Sequence, residues 1–247
     1  MPAITNKQQL LAKAHALLVK RFPLPPVEPE TGRTVLEELV YATCREGTTT
    51  ADADLAYGAL RKAFIDWNEV RVSTVPEVAD VLRPLPQPGG RAKRIIALLQ
   101  AVFEERYSFD LSDVLKKGLK DTARKLRFYK EGVTDYAVAW VMQRTLGGHA
   151  IPLDAPTLRV LERLGVAEPG EPDEAESLRG SIEHLIPKAK GPEFTELMSV
   201  HAKELCIEGT PRCAACPLKA DCPTAPIVLA ASKVKKPPEA KPKPKSR

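Results

Sequence analysis

Apolar residues along this chain recur mostly at three- and four-residue intervals, the spacing that lines one face of a helix. Between positions 8 and 21, Leu10, Leu11, Ala14, Leu17 and Leu18 share a face, and Pro23, Pro25 and Pro26 end the run. Further helices are predicted over 35–44, over 50–64 with Leu55, Tyr57, Leu60, Ala63 and Phe64 on its stripe, and over 76–82, where Pro76 suits a helix start. Residues 84–90 (PLPQPGG) predict a loop without regular structure. Helices over 91–107 and 111–117 follow, the second closed by Gly118. Two more, 120–129 and 135–146, are separated only by residues 130–134, and 155–164, 173–186 and 193–205 complete the set. No segment alternates with the period of a strand. The expectation is an all-α globular protein of a dozen or so short helices, with no solenoid repeat.

Composition narrows the class. The chain has 247 residues, 43% hydrophobic and 28% charged, enough for one large domain or two small ones. No apolar run approaches the roughly 18 to 20 residues of a membrane span, and the N-terminus lacks the n- and h-regions of a secretory signal. A soluble, cytoplasmic protein without a membrane partner is expected. The 37 Lys/Arg exceed the 32 Asp/Glu, a formal net charge of +5. That excess is local: positions 233–247 hold seven Lys/Arg and one acid, Glu239, leaving the other 232 residues at −1. The Lys/Pro alternation from Ser232 is too polar to pack and predicts a disordered tail.

Four of the five cysteines lie within seventeen residues, with the spacing Cys206-x6-Cys213-x2-Cys216-x5-Cys222. In a chain without a secretory signal this clustering favours a metal over disulfides. Four soft thiolates suit zinc or an iron–sulfur cluster, and zinc ribbons usually bring two close C-x2-C pairs where this chain has one. Cys44 stands apart on an apolar helix and reads as a small buried hydrophobe.

This cysteine pattern, directly after a final helix, resembles the 4Fe–4S loop of endonuclease III-type DNA glycosylases. A second landmark lies upstream: the helix–turn–helix of 120–146, with the turn Lys130-Glu131-Gly132-Val133-Thr134, then Ile151-Pro152-Leu153-Asp154, resembles the helix–hairpin–helix of that superfamily and its aspartate. The resemblance implies a two-domain helix–hairpin–helix DNA glycosylase fold: residues 31–146 as a six-helix barrel domain, and 147–225 as a 4Fe–4S cluster domain joined by the N-terminal helix and connection, 1–30. Residues 226–247 would be the disordered tail. It further implies a monomer acting on double-stranded DNA (nucleoid-associated if bacterial), with the four cysteines as cluster ligands.

The hairpin supplies backbone N–H groups and a helix N-terminus to a phosphate, which assigns DNA binding to Gly132, Val133 and Thr134. Glu46 aligns with the glutamine that fills the gap left by a flipped base, and Gly90 and Arg91 with the helix start that meets the DNA backbone. Asp154, which also suits a helix N-cap, is the catalytic candidate for glycosidic cleavage. Tyr136 occupies the position of the lysine whose amine forms a Schiff base in bifunctional members. A phenol cannot form that imine, so a monofunctional glycosylase without lysine-type lyase activity is expected, with Tyr136 lining the pocket. His149 is a candidate for the same pocket. The acids Glu46, Glu131 and Asp135 lie where phosphates would approach, and a non-catalytic 4Fe–4S DNA-binding protein on this fold is the rival reading. The basic tail would then supply long-range attraction.

Overall fold

In the computed structural model, which describes residues 3–27, 32–168 and 175–234, the described residues form twelve α-helices and no strand. The chain builds two apolar cores. The first is made by α2 (Val35–Arg45), α3 (Thr50–Ala63), α4 (Trp67–Val72), α5 (Val75–Val81), α6 (Pro88–Arg106), α7 (Gly118–Arg127) and α8 (Asp135–Arg144). The second joins α1 (Ala3–Arg21) to α9 (Ala155–Arg163), α10 (Ala175–Leu185) and α11 (Gly191–Glu204). A loop carrying the four clustered cysteines follows α11 and leads into α12 (Thr224–Val234).

Local chemistry explains several boundaries. Thr34/Glu37, Thr49/Asp52 and Thr74/Glu77 each form a reciprocal capping box, satisfying orphan N–H groups at the starts of α2, α3 and α5. The helix α2 runs through the first core with both faces covered, so its polar residues need internal partners. The carboxylate of Glu38, fully buried, accepts from Trp140 Nε1 at 2.7 Å and from Arg33 Nε at 2.7 Å.

Four expectations are corrected. Residues 88–90 are not loop: Gln87 turns in the left-handed region (φ 54°) and Pro88 opens α6, where a missing N–H costs nothing. The helix α4 was not expected; six residues are too few to establish a period, but Asp66 caps it through Glu69 N–H at 2.8 Å. Leu55 is three-quarters exposed, and Ala53, Ala56 and Leu60 carry the buried face of α3. Residues 226–234 belong to α12 rather than to a disordered tail, because Thr224 and Pro226 open a helix of small and branched apolar residues. The rest of the tail, 235–247, and the expected helix start at 173–174 lie outside the described residues. No described helix is long and apolar enough to cross a membrane.

Candidate active-site cleft and metal centre

Between the two cores lies a cleft with a volume of about 660 Å³, walled by the end of α2, the start of α6, the start of α9 and one side of α11. Asp154 lines it. As the N-cap of α9 its Oδ1 accepts from Thr157 N–H at 2.9 Å, while Oδ2 accepts from Gly47 N–H, in the other core, at 2.8 Å. Gly47 takes φ +73°, a conformation open to glycine at no steric cost. Asp154 is 4% exposed, and its carboxylate is fixed from both sides.

Two buried guanidinium groups shape the connection that presents Gly47. Arg91 donates to Pro86 O (2.8 Å), Cys44 O (3.3 Å), Glu46 O (2.6 Å) and Thr43 O, satisfying carbonyls left over at the end of α2. Arg45, with no exposed surface, donates to Thr48 O, Thr50 Oγ1 (3.2 Å), Ser199 Oγ (2.6 Å) and Glu196 Oε2 (3.0 Å), and so ties α2 to α11. Its guanidinium lies 5.5 Å from the Trp140 ring centroid. Burial alone would lower the pKa of Arg45, but the neighbouring Tyr136, Glu196 and Asp154 outweigh it and hold the cation firmly. In the sequence Arg45 is only a cation in the last turn of its helix, which does not distinguish it from a surface arginine.

The DNA-contact assignments meet this geometry as follows. Glu46 stands at the cleft mouth as the C-cap of α2, and Arg94 neutralises it across 2.7 Å. Gly90 is exposed on the first turn of α6, but most of the donors of Arg91 are engaged by carbonyls, so a phosphate would have to compete for them. In the hairpin, the N–H groups of Gly132 and Val133 both donate to Tyr129 O, at 3.0 and 2.9 Å, and both residues are buried. These two amides are therefore not available to a phosphate in this conformation. Gly132 serves another end: a Cβ there would lie 2.5 Å from Leu98 N and 2.6 Å from Arg94 O, so glycine lets the turn rest on the backbone of α6. Thr134 caps α8 through Ala137 N–H (3.2 Å), and Asp135 pairs with Arg127 at 3.1 Å.

Two pocket expectations are corrected. Tyr136 does not line the cleft: α8 packs on α2, the ring stacks on Trp140 (centroids 6.1 Å, planes 22° apart), and its buried hydroxyl has no hydrogen-bond partner. Burial pushes the phenol pKa well above its ordinary value; the Arg45 cation opposes this and the nearby carboxylates, Asp154 first among them, reinforce it. His149 faces a different cavity, behind α8, where its Nε2 lies 2.8 Å from Ile186 O.

All four clustered cysteines line one small cavity with Val160, Leu164, Leu205 and Leu218. Burial, with repulsion among the thiolates that ionisation would create, raises the pKa of Cys213 and Cys216. Arg163 Nη1 approaches Cys206 Sγ at 3.4 Å. Among the described residues no group of three or more His, Cys, Asp or Glu side chains is arranged to hold a metal ion. The donor set nevertheless suits a group bound by several soft thiolates in an apolar setting. Cys44 is buried, and burial raises its thiol pKa to about 12.

No family model matches the chain. It is 28% identical to Protein ROS1A of Oryza sativa subsp. japonica over 178 residues, 65% of this chain, and 27% identical to DNA glycosylase/AP lyase ROS1 of Arabidopsis thaliana over 175 residues, 64% of this chain. Those matches cover 9% and 12% of the relatives, so the chain spans about a tenth of their length. Its fold matches a non-covalent endonuclease III–DNA complex with a TM-score of 0.67 at 19% identity, covering 90% of this chain and 98% of that one. A thermostable thymine-DNA glycosylase gives 0.62 at 18% identity over 91% and 99%. The chain is similar in sequence to the ROS1 proteins and has the all-α helix–hairpin–helix fold of endonuclease III and related DNA glycosylases.

Proposed function

We propose that this protein is a base-excision DNA glycosylase that hydrolyses the N-glycosidic bond of a damaged or mismatched base in duplex DNA, acts as a monomer, and lacks lysine-type lyase activity. The observation that carries the reading is Asp154: a buried carboxylate at the wall of an interdomain cleft, oriented by one N–H from each core. A nucleotide turned out of the duplex would enter the cleft, and the fixed carboxylate would stabilise positive charge developing on the sugar or orient an attacking water. Thymine-DNA glycosylase and DNA glycosylase/AP lyase are names carried by its structural neighbour and its relative, and both support base removal as the reaction class.

Tyr136 stays outside the cleft, stacked on Trp140, and a phenol cannot supply the amine of a Schiff base, which supports hydrolysis without strand cleavage. Cys206, Cys213, Cys216 and Cys222 would hold a 4Fe–4S cluster. A bound cluster would supply iron–thiolate bonds that tie the 206–222 loop to itself, while Arg159 and Arg163 of α9 hold that loop through the Cys206 carbonyl, and no step at Asp154 depends on the cluster.

The test is a panel of damaged and mismatched duplexes scored for alkali-sensitive abasic sites. Wild-type protein should release a base from at least one duplex, and Asp154→Asn should lose about a hundredfold or more of that rate. Asn keeps the cap on Thr157 N–H but has one acceptor oxygen, so Gly47 N–H loses its partner; a melting temperature several degrees below wild type is expected, and the melt checks that the variant is folded at the assay temperature. Borohydride should trap no covalent adduct. Because Tyr136 is sealed from the cleft and Glu46 is held by Arg94, the competing reading is DNA binding without catalysis; duplex binding with no base release on any substrate would establish it.

A further inference from the structure

A second large cavity, about 410 Å³, lies between α7, α8, the 148–150 loop and α10. Its place on α8 separates it from the Asp154 cleft. Tyr136 and Trp140 face α2, whereas Val138 and Met142 line this cavity, and at 100° per residue they sit about 200° round the helix. A ligand here would have α8 as a wall between it and Asp154.

The cavity is built around cations. Among the described residues, Lys120, Arg127 and Arg179 line it together with the carboxylate Glu183, which already accepts from Ile151 N–H at 3.1 Å. Arg127 also pairs with Asp135 at 3.1 Å on the outer side of the hairpin. The decisive residue is Arg179: it is 8% exposed, and its buried Nε has no hydrogen-bond partner. A guanidinium in such a setting without an acceptor is costly, because desolvation is not repaid by an opposite charge or a hydrogen bond. One turn of geometry adds to this. Gly180 lines the same space, and a Cβ there would meet nothing within 4 Å. Glycine inside a helix is unfavourable relative to alanine, and here it leaves the cavity wider than any other residue would.

We propose that this cavity binds a phosphate-type anion, with Arg179 as the buried fork and Lys120 and Arg127 at its mouth. The planar guanidinium of Arg179 matches phosphate oxygens in pairs, and Lys120 adds a second cation at the mouth. The phosphate is either that of a small soluble molecule or one of a nucleic-acid backbone, and the two are separable.

The full chain is titrated calorimetrically with inorganic phosphate and with pyrophosphate, and separately its affinity for a short duplex is measured. Two variants accompany it: Arg179→Met, which removes the charge and keeps much of the volume, and Gly180→Leu, which fills the open space and leaves every charge in place. Wild type should bind pyrophosphate saturably and melt at a higher temperature in its presence, and both variants should bind at least tenfold more weakly. In phosphate-free buffer Arg179→Met should be at least as thermostable as wild type, since it deletes an unpartnered buried charge. If duplex affinity is unchanged in both variants, the anion is a soluble one; if duplex affinity falls tenfold in both, the phosphate is that of the backbone. Wild-type behaviour of both variants toward pyrophosphate and duplex alike would overturn the proposal, as would absence of phosphate binding by wild type with no change in duplex affinity.

Discussion

Arg45 is the residue whose loss should reveal how the cleft is held. It is buried completely, yet it reaches across from α2 to α11, pairing with Glu196 at 3.0 Å and Ser199 at 2.6 Å. Arg45→Met keeps the volume and removes the cation. It leaves the Thr48 carbonyl without that donor and Glu196, whose side chain is 14% exposed, with only the Thr50 hydroxyl. Removing one partner of a buried pair costs roughly 3–5 kcal/mol, because the other charge stays buried. For a chain of this length each kcal/mol moves the melting temperature by about 2–4 °C, so a drop on the order of 10 °C is expected. Glu196→Gln should cost a comparable amount by stranding the guanidinium. The double variant Arg45→Met/Glu196→Met exchanges the pair for packed apolar atoms, which is often close to neutral. Its loss should therefore fall well below the sum of the singles, with a coupling of about 2 kcal/mol or more by equilibrium urea unfolding. Additive losses, or a single Arg45→Met that melts within 2 °C of wild type, would refute the clamp.

Gly132→Ala should drive a methyl into the backbone of α6, costing roughly 1–3 kcal/mol and lowering the melting temperature by several degrees; an unchanged melt would mean the hairpin does not rest there. Protein purified without oxygen should be brown and contain about four irons and four sulfides per chain, and Cys213→Ser should lower both; colourless protein with stoichiometric zinc would contradict the cluster. Deleting 235–247 removes six Lys/Arg and one acid, so duplex binding at low salt should weaken and the slope of log affinity against log salt should flatten by about 2 or more. Equal affinity and slope would show that the tail does not touch DNA.

Much of the fold was legible because its signals are local. Helical periodicity placed ten of the twelve helices, and T-x-x-E/D spacings at Thr34, Thr49 and Thr74 mark helix starts that the structure uses as capping boxes. The helix α4 escaped because it is short, and α12 because Pro226 and the adjoining Lys/Pro run read as tail. The candidate site was legible where a residue's place is local: Asp154 caps a helix, and the four closely spaced cysteines line one cavity. It was illegible where the partner is far along the chain. Glu46 and Arg94 are 48 residues apart, and Arg45 and Glu196 are 151 apart. An arginine in a sequence reads as surface charge, since unpaired ones are rarely buried, and nothing local says that Arg45 and Arg91 go inside. Gly132 shows the same limit: lacking a Cβ it permits a close approach, but only the tertiary structure decides that the neighbour is α6.

These internal partners change the meaning of the charge along the cleft. Arg91 and Arg159 donate to carbonyls, Arg94 to Glu46, and Lys203 to Asp52, so each of these cleft cations already has an acceptor in the protein itself. At the hairpin, Arg127 and Asp135 neutralise one another and Tyr129 takes the N–H groups of Gly132 and Val133. A duplex approaching this face therefore meets cations it must share or release, not an open field. Exchanging an internal carboxylate for a phosphate gains little Coulomb energy at an exposed cleft, and salt screens what remains. Attraction at a distance would have to come from elsewhere, and the Lys/Arg excess of 233–247 is the concentrated positive charge in the sequence. Under the proposed function the folded part would contribute selection rather than attraction: the cleft walls are tied by Arg45 and Arg91, and the direction of the carboxylate is set by Gly47 and Thr157. If the protein removes bases as proposed, rigidity of that kind would favour a base already weakly paired, because a sound pair would have to be broken without help from a strong grip on its phosphates.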